Sequence, residues 1–247
     1  MTRLSRTFGY QSVEENEREQ RIRRVFEAVA RRYDLMNDLM SMGIHRLWKR
    51  TLVRLAAPRT GQLIVDLAGG TGDVAARLAA ADRVVAVCDP SVPMMQAGRA
   101  RGHRHVQWLA GTGENMPLPG GSVDTITIAF GIRNVTRIED ALAEALRVLK
   151  PGGRFLCLEF STPWAPVRPF YNFFSFAVIP RLGAMVAQAP EAYNYLVESI
   201  RRFPDQRSFQ ALMQQAGFGD VSYRNLSLGI ACIHVGTKPA PAGKGSR

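Results

Sequence analysis

Three glycines and two carboxylates stand together at the end of an apolar run, in Asp66-Leu67-Ala68-Gly69-Gly70-Thr71-Gly72-Asp73. Glycines let a backbone turn tightly and approach a ligand closely. A helix that starts just after them offers unpaired N–H groups. Asp89 lies 23 residues beyond Asp66, after the second apolar run, Arg83 to Cys88. A carboxylate there can accept both hydroxyls of a ribose. The two features together predict an adenosine-bearing cofactor lying across the first two strands.

Two cofactor classes match this pattern. Gly70-Thr71-Gly72-Asp73-Val74-Ala75 satisfies the GxGxxA dinucleotide fingerprint. Asp66 and Asp73, however, flank the loop with negative charge, where a pyrophosphate is repelled. The methionine end of S-adenosylmethionine carries an ammonium and a sulfonium and tolerates carboxylates. Leu149-Lys150-Pro151-Gly152-Gly153-Arg154 is in addition a turn common in methyltransferases. A plainer alternative makes Asp66 a turn cap with no ligand.

A second constellation is Gly131-Ile132-Arg133-Asn134, directly after the fourth strand candidate. It sits where a transferred methyl group should lie, with Arg133 as the central polar residue. Arginine holds its proton too tightly to act as a base. Its physical role there is to stabilise a phenolate or to hold a water that shuttles a proton; the alternative is an ordinary surface ion pair. Ahead of the first strand, Tyr33, Asp34, Asn37, Asp38 and His45 decorate an amphipathic stretch. Asp34 and Asp38 share a helix face, as do Tyr33 and Asn37. One of the carboxylates Asp34 and Asp38, or His45, could accept a proton there; equally, Asp38 could cap a helix and His45 could be structural.

These residues need a scaffold. Strand candidates are Leu63–Leu67, Arg83–Cys88, Val106–Leu109, Val123–Ala129 and Arg154–Phe160, with Val221–Leu226 and Ala231–Val235 closing the chain. Helical patterns cover Val74–Ala80, Val92–Arg101, Ile138–Leu149 and Ser208–Ala216. Thr136 with Glu139 forms a capping-box signature before the third of these. Such alternation predicts an α/β fold, a mostly parallel sheet with helices on both faces. Residues 1–57 form a helical N-terminal extension or lid, 58–238 the cofactor-binding domain, and 239–247 a frayed tail. Residues 161–205 are an insertion on the acceptor side, with six aromatics between Trp164 and Phe176. They suggest a greasy groove or a shallow membrane contact, with Arg168, Arg181, Arg201, Arg202 and Arg207 available to anionic head groups.

Bulk properties narrow the classes further. The chain has 247 residues, 46% of them hydrophobic, which excludes wholesale disorder. No apolar run reaches the ~18 residues of a membrane span, and the N-terminus has no signal-peptide core, so a soluble cytoplasmic protein is expected. The net charge of +11 rests almost wholly on arginine, scattered along the chain. It fits an anionic surface or a compositional bias equally. Cys88, Cys157 and Cys232 read as buried strand thiols, and no metal site is predicted.

With these residues in hand, the chain resembles the ubiquinone/menaquinone C-methyltransferase family, often called UbiE. The resemblance runs from about Arg24 to Lys238. It includes Tyr33–Ser41, Gly43–Lys49, Val65–Asp73, Ile126–Val135, Leu158–Ser161, Phe173–Gly183 and Tyr193–Ile200. It implies a class I methyltransferase, a Rossmann-like sheet of seven strands with the last antiparallel. The implied cofactor is S-adenosylmethionine, bound by Asp66, Gly70, Thr71, Gly72, Asp89, the Thr112–Gly113 pair near the adenine, and Ala129. Thr112 stands where many relatives carry Asp or Asn, so adenine recognition would lean on backbone N–H groups or Glu114. Ala129 stands where relatives often carry Ser. The implied acceptor is the ring carbon of a lipid-tailed quinol, with Arg133, Asp34, Tyr33 and His45 as catalytic candidates. Peripheral contact with the cytoplasmic membrane, a quinone-biosynthesis complex and a homodimer are compatible with that reading; nucleic acid is not expected. The rivals are a nucleic-acid methyltransferase, an NAD-linked oxidoreductase and a non-catalytic basic module. The segment Ala129-Phe130-Gly131-Ile132 lacks the [DNS]PPY tetrad of base N-methyltransferases.

Overall fold

The computed structural model describes residues 5–29, 37–38, 41–173 and 190–240. Its centre is a seven-stranded sheet of β3 (Leu63–Leu67), β4 (Val84–Asp89), β5 (Val106–Ala110), β6 (Val123–Ala129), β7 (Leu149–Phe160), β8 (Gly219–Leu226) and β9 (Ala231–Thr237). The strand order is β5-β4-β3-β6-β7-β9-β8, and β9 runs antiparallel to both its neighbours. The expected doubly covered, mostly parallel sheet is therefore present.

Strand residues alternate between two cores, as a period of two dictates. Ile64, Leu156 and Leu158 face Trp48, Leu52 and Leu196 on one side. Val65, Phe155 and Cys157 face Leu142, Phe209 and Met213 on the other. All three cysteines are buried and free, as read from the sequence. The covering helices include α2 (His45–Ala56), α3 (Asp73–Leu78), α4 (Val92–Ala100), α5 (Ile138–Val148), α7 (Pro190–Arg202) and α8 (Gln206–Ala216). A short α6 (Arg168–Phe173) lies in the insertion.

Several local expectations need correction. The fifth strand begins at Leu149 rather than Arg154, because Leu149 pairs with Val123 and Gly152 N–H donates to Lys238 O at 2.8 Å. Those bonds draw the Pro-Gly-Gly turn into the sheet. The Thr136–Glu139 capping box is not formed. Arg137 is the N-cap and makes no side-chain cap bond. Thr136 Oγ1 donates instead to Glu19, and Glu114 Oε1 accepts the N–H groups of Thr136 (2.8 Å) and Arg137 (3.0 Å). A carboxylate brought in by the fold thus takes the cap's place. The N-terminal extension opens with a hairpin, β1 (Thr7–Phe8) and β2 (Gln11–Ser12), not foreseen in the sequence. It leads into α1 (Glu15–Val29). Arg201 and Arg202 are used internally: Arg201 lies over the Tyr171 ring and Arg202 donates to Gly9 O. Tyr33, Asp34, Arg181 and the aromatic run beyond Phe173 lie outside the described residues.

Candidate active site

The carboxyl ends of β3, β4, β5 and β6 open into one cavity of about 740 Å³. Gly70 lines it from the glycine loop, Asp89 and Met94 from the second strand-helix unit, and Thr112, Gly113 and Glu114 from the loop after β5. The turn after β6 contributes Phe130, Gly131 and Asn134. Helix α1 closes the top with Glu19, Gln20, Ile22, Arg23 and Phe26.

Asp89 is the best-defined group. Its carboxylate accepts Gly70 N–H at 2.8 Å and Ser91 N–H at 2.7 Å, one on each oxygen. Each oxygen keeps a lone pair for a further donor. Burial nonetheless pushes the carboxyl above its usual range, so two hydroxyl donors from a ligand would find an under-satisfied acceptor.

The backbone is strained where the walls meet. Ala68 (φ 49°) and Phe130 (φ 59°) are left-handed non-glycine residues at the ends of adjacent strands. Such a conformation costs about 1–2 kcal/mol per residue, and clusters at functional sites. A Cβ on Gly131 would meet Ala68 Cβ at 2.7 Å, so only glycine permits this approach.

Of the residues singled out in the sequence, Gly70, Asp89, Thr112, Gly113, Glu114, Gly131 and Asn134 line the cavity, whereas Asp66, Thr71, Gly72, Asp73, Ala129, Arg133 and His45 do not. Asp66 is buried beneath the loop, where it accepts Thr127 Oγ1–H at 2.8 Å and Ala75 N–H at 3.1 Å. Burial raises its pKa to about 7. Asp73 pairs with Lys49 at 2.9 Å and Arg77 at 3.0 Å. The expected repulsion of a pyrophosphate by these two aspartates is therefore weaker than the sequence implies: Asp66 turns away beneath the loop and burial favours its protonated form, while Asp73 is paired with two cations. Thr71 accepts from Arg101 at 3.3 Å, Gly72 is the N-cap of α3 with φ 76°, and Ala129 ends β6 beside Phe130.

Asp66→Asn tests the burial of Asp66. The amide can keep both bonds if the Thr127 hydroxyl reverses. A carboxyl raised in the folded state binds a proton more readily there than when unfolded. Its penalty is absent at low pH, grows as pH rises from the ordinary carboxyl value towards the folded pKa, and is full above the folded pKa. Asp66→Asn should therefore be more stable than the native chain at pH 8, by on the order of 2–4 kcal/mol, and melt higher, with the gain shrinking towards pH 4. A pH-independent difference in melting temperature would refute this.

Arg133 is no surface residue. It is buried in a 3₁₀ turn (Ile132–Asn134), donates to Phe130 O at 2.8 Å and pairs with buried Glu159 at 2.6 Å. Burial pushes the Glu159 carboxyl up against the opposing pull of Arg133. Arg133 Nε, Glu159 Oε2 and Ser161 Oγ have no hydrogen-bond partner among the described residues. His45 is buried and bonds Asp38 at 2.8 Å; burial outweighs Asp38 and lowers its pKa, so the ring is neutral near pH 7.

Sequence reasoning missed Arg18. This α1 side chain is 1% exposed. It donates to the carbonyls of Thr7 (3.0 Å), Arg133 (3.1 Å) and Val135 (3.1 Å). It thereby clasps the helix over the cavity to the turn that carries Arg133. Asn134, read in the sequence only as part of the turn, lines the cavity and accepts from Tyr195 OH at 3.0 Å.

Strand order, glycine loop and the aspartate that ends β4 define a class I methyltransferase of the S-adenosylmethionine-dependent kind. A methyltransferase of that kind from Thermotoga maritima superposes with a TM-score of 0.62 at 24% identity, covering 88% of this chain and 99% of its own. The ubiE/COQ5 methyltransferase family profile matches residues 14–238. The chain belongs to that family. A relative from Rubrivivax gelatinosus, named ubiquinone/menaquinone biosynthesis C-methyltransferase UbiE, is 71% identical over 98% of this chain and 96% of its own length. A relative of the same name from Acidiphilium cryptum is 50% identical over 93% and 95%.

Proposed function

We propose that this chain transfers a methyl group from S-adenosylmethionine to a ring carbon of a polyprenylated quinol, a demethylmenaquinol or a 2-polyprenyl-6-methoxy-1,4-benzoquinol. The 71% identity to a relative of that name over nearly the whole chain carries the reading. The cavity fits the donor. Asp89 would accept the two ribose hydroxyls, with Ala68, Met94 and Val135 as apolar walls and Thr112 and Gly113 beside the base. Glu114 already holds two backbone N–H groups at the start of α5, so recognition of the base falls to the backbone beside it. Bound there, S-adenosylmethionine supplies an electrophilic methyl on a positively charged sulfur.

The protein's task is to turn a quinol ring carbon into a nucleophile, which means favouring the phenolate and excluding water. Arg133, fixed by Glu159 and Phe130 O just beneath the turn that lines the cavity, keeps an unpartnered Nε–H that would serve a phenolate oxygen reaching past Gly131. Helix α1 covers one side of the cavity and would help to exclude water around a bound acceptor. His45, with Asp38 on its Nε2 at 2.8 Å and its Nδ1 unpartnered among the described residues, would take up a proton through Nδ1 if the acceptor reached it. The acceptor's tail requires contact with a membrane surface, and among the described residues no helix is long and apolar enough to cross one.

Transfer of labelled methyl from S-adenosylmethionine to short-tailed demethylmenaquinol and to its benzoquinol counterpart tests the assignment. Methylation of at least one is expected. Methylation of neither, with RNA methylated instead, overturns it.

A further inference from the structure

The surface beside helix α2 is strongly basic and carries protruding apolar side chains. The helix His45–Ala56 has four cations besides its histidine and no acid. Lys49 is buried against Asp73. Arg46 holds the carboxylate of Asp38 at 2.7 Å while staying largely exposed, and Arg50 and Arg54 follow it at successive intervals of four, both exposed. Like charges at that spacing destabilise an isolated helix. An anionic partner would turn this repulsion into attraction. Leu47, on the same helix, is 56% exposed.

Two more apolar side chains join this face. Trp48 Nε1–H donates to Ser227 Oγ at 2.9 Å, which ties α2 to the turn between β8 and β9. In that turn Ser227 (φ 46°) and Leu228 (φ 58°) are both left-handed, a strained conformation for a side chain as large as leucine. The strain holds Leu228 outwards, 51% exposed. Trp164 N–H donates to Leu228 O at 3.0 Å, and the indole is itself 53% exposed. Arg168, exposed one turn beyond Trp164, adds another cation.

We propose that Leu47, Trp164 and Leu228, framed by Arg46, Arg50, Arg54 and Arg168, form the face by which the protein docks on an anionic lipid bilayer. Separate protruding apolar side chains among arginines suit insertion between head groups, and tryptophan favours that interface. Basic residues add attraction to an anionic leaflet. The proposal deepens the quinol reading, because a lipid-tailed acceptor resides in the bilayer.

The test is sedimentation of the full chain with vesicles of mixed phosphatidylglycerol and phosphatidylcholine, and with phosphatidylcholine alone, in the absence of acceptor. Binding to the mixed vesicles is expected, at least about tenfold tighter than to phosphatidylcholine. Arg50→Glu with Arg54→Glu should weaken it about thirtyfold. Leu228→Asn should weaken it about fivefold with an unchanged or higher melting temperature, because asparagine tolerates the left-handed backbone. Both variants should keep activity on a short-tailed quinol. Absence of vesicle binding overturns the proposal. So does native-like binding by both variants, salt-sensitive RNA binding without vesicle binding, or a solution dimer that Trp164→Ser dissociates. Quinol methylation without vesicle binding defeats the docking face alone; vesicle binding without quinol methylation defeats the substrate reading alone.

Discussion

Asp89→Ala is expected to bind S-adenosylmethionine about 100-fold more weakly in calorimetry, a loss of about 3 kcal/mol. The carboxylate offers two charge-assisted bonds to a ribose, each worth about 1.5–3 kcal/mol. Its removal also frees Gly70 N–H and Ser91 N–H, which Asp89 now holds at 2.8 and 2.7 Å, and so loosens the loop that lines the cavity. Asp89→Asn has nearly the native shape but points an amide N–H₂ at one of those backbone donors, so its loss should be of similar size. Native affinity in both folded variants would remove Asp89 from the donor site.

Arg133→Ala should lower turnover about a hundredfold or more while leaving the affinity for S-adenosylmethionine nearly unchanged. The variant also strips Glu159 of its partner at 2.6 Å. A buried ion pair broken on one side costs about 3–5 kcal/mol of stability, so lost activity alone cannot separate chemistry from unfolding. The double variant Arg133→Met with Glu159→Gln resolves this. Replacing both charges by groups of similar volume should restore much of the melting temperature and leave turnover at the level of the single variant. Recovered turnover in the double variant would reduce Arg133 to scaffolding. Equal losses in turnover and cofactor affinity would place it in the donor site instead.

The sheet was legible because its central strands are buried on both faces. Leu63–Leu67 and Val123–Ala129 read as apolar runs with glycines or helical patterns after them, and pairing changed their bounds little. Asp89 was legible for the same reason, as a carboxylate at a strand's end. The direction of a side chain at such an end was not. Asp66 stands next to the glycine loop in sequence, yet its carboxylate turns under the loop towards Thr127 on the neighbouring strand. The partners of Asp73 were equally hidden, since Lys49 comes from a helix 24 residues earlier. The N-terminal extension was expected to close over the site, and the charged stretch Glu15–Val29 gave no sign of which side chains would face the cavity. Arg18 sits among Glu17, Glu19 and Arg21 and looks like one more solvated charge. Only the fold brings the carbonyls of residues 133 and 135 to it.

The partners of Arg18 are main-chain carbonyl oxygens. Carbonyls neither titrate across the biological range nor change when a neighbouring side chain is replaced. The bond between roof and turn is therefore written into the sequence on one side alone. Val135 can drift to another residue of similar bulk, and the acidity of the medium can shift, without altering what the guanidinium finds there. Variation in that attachment has to pass through position 18.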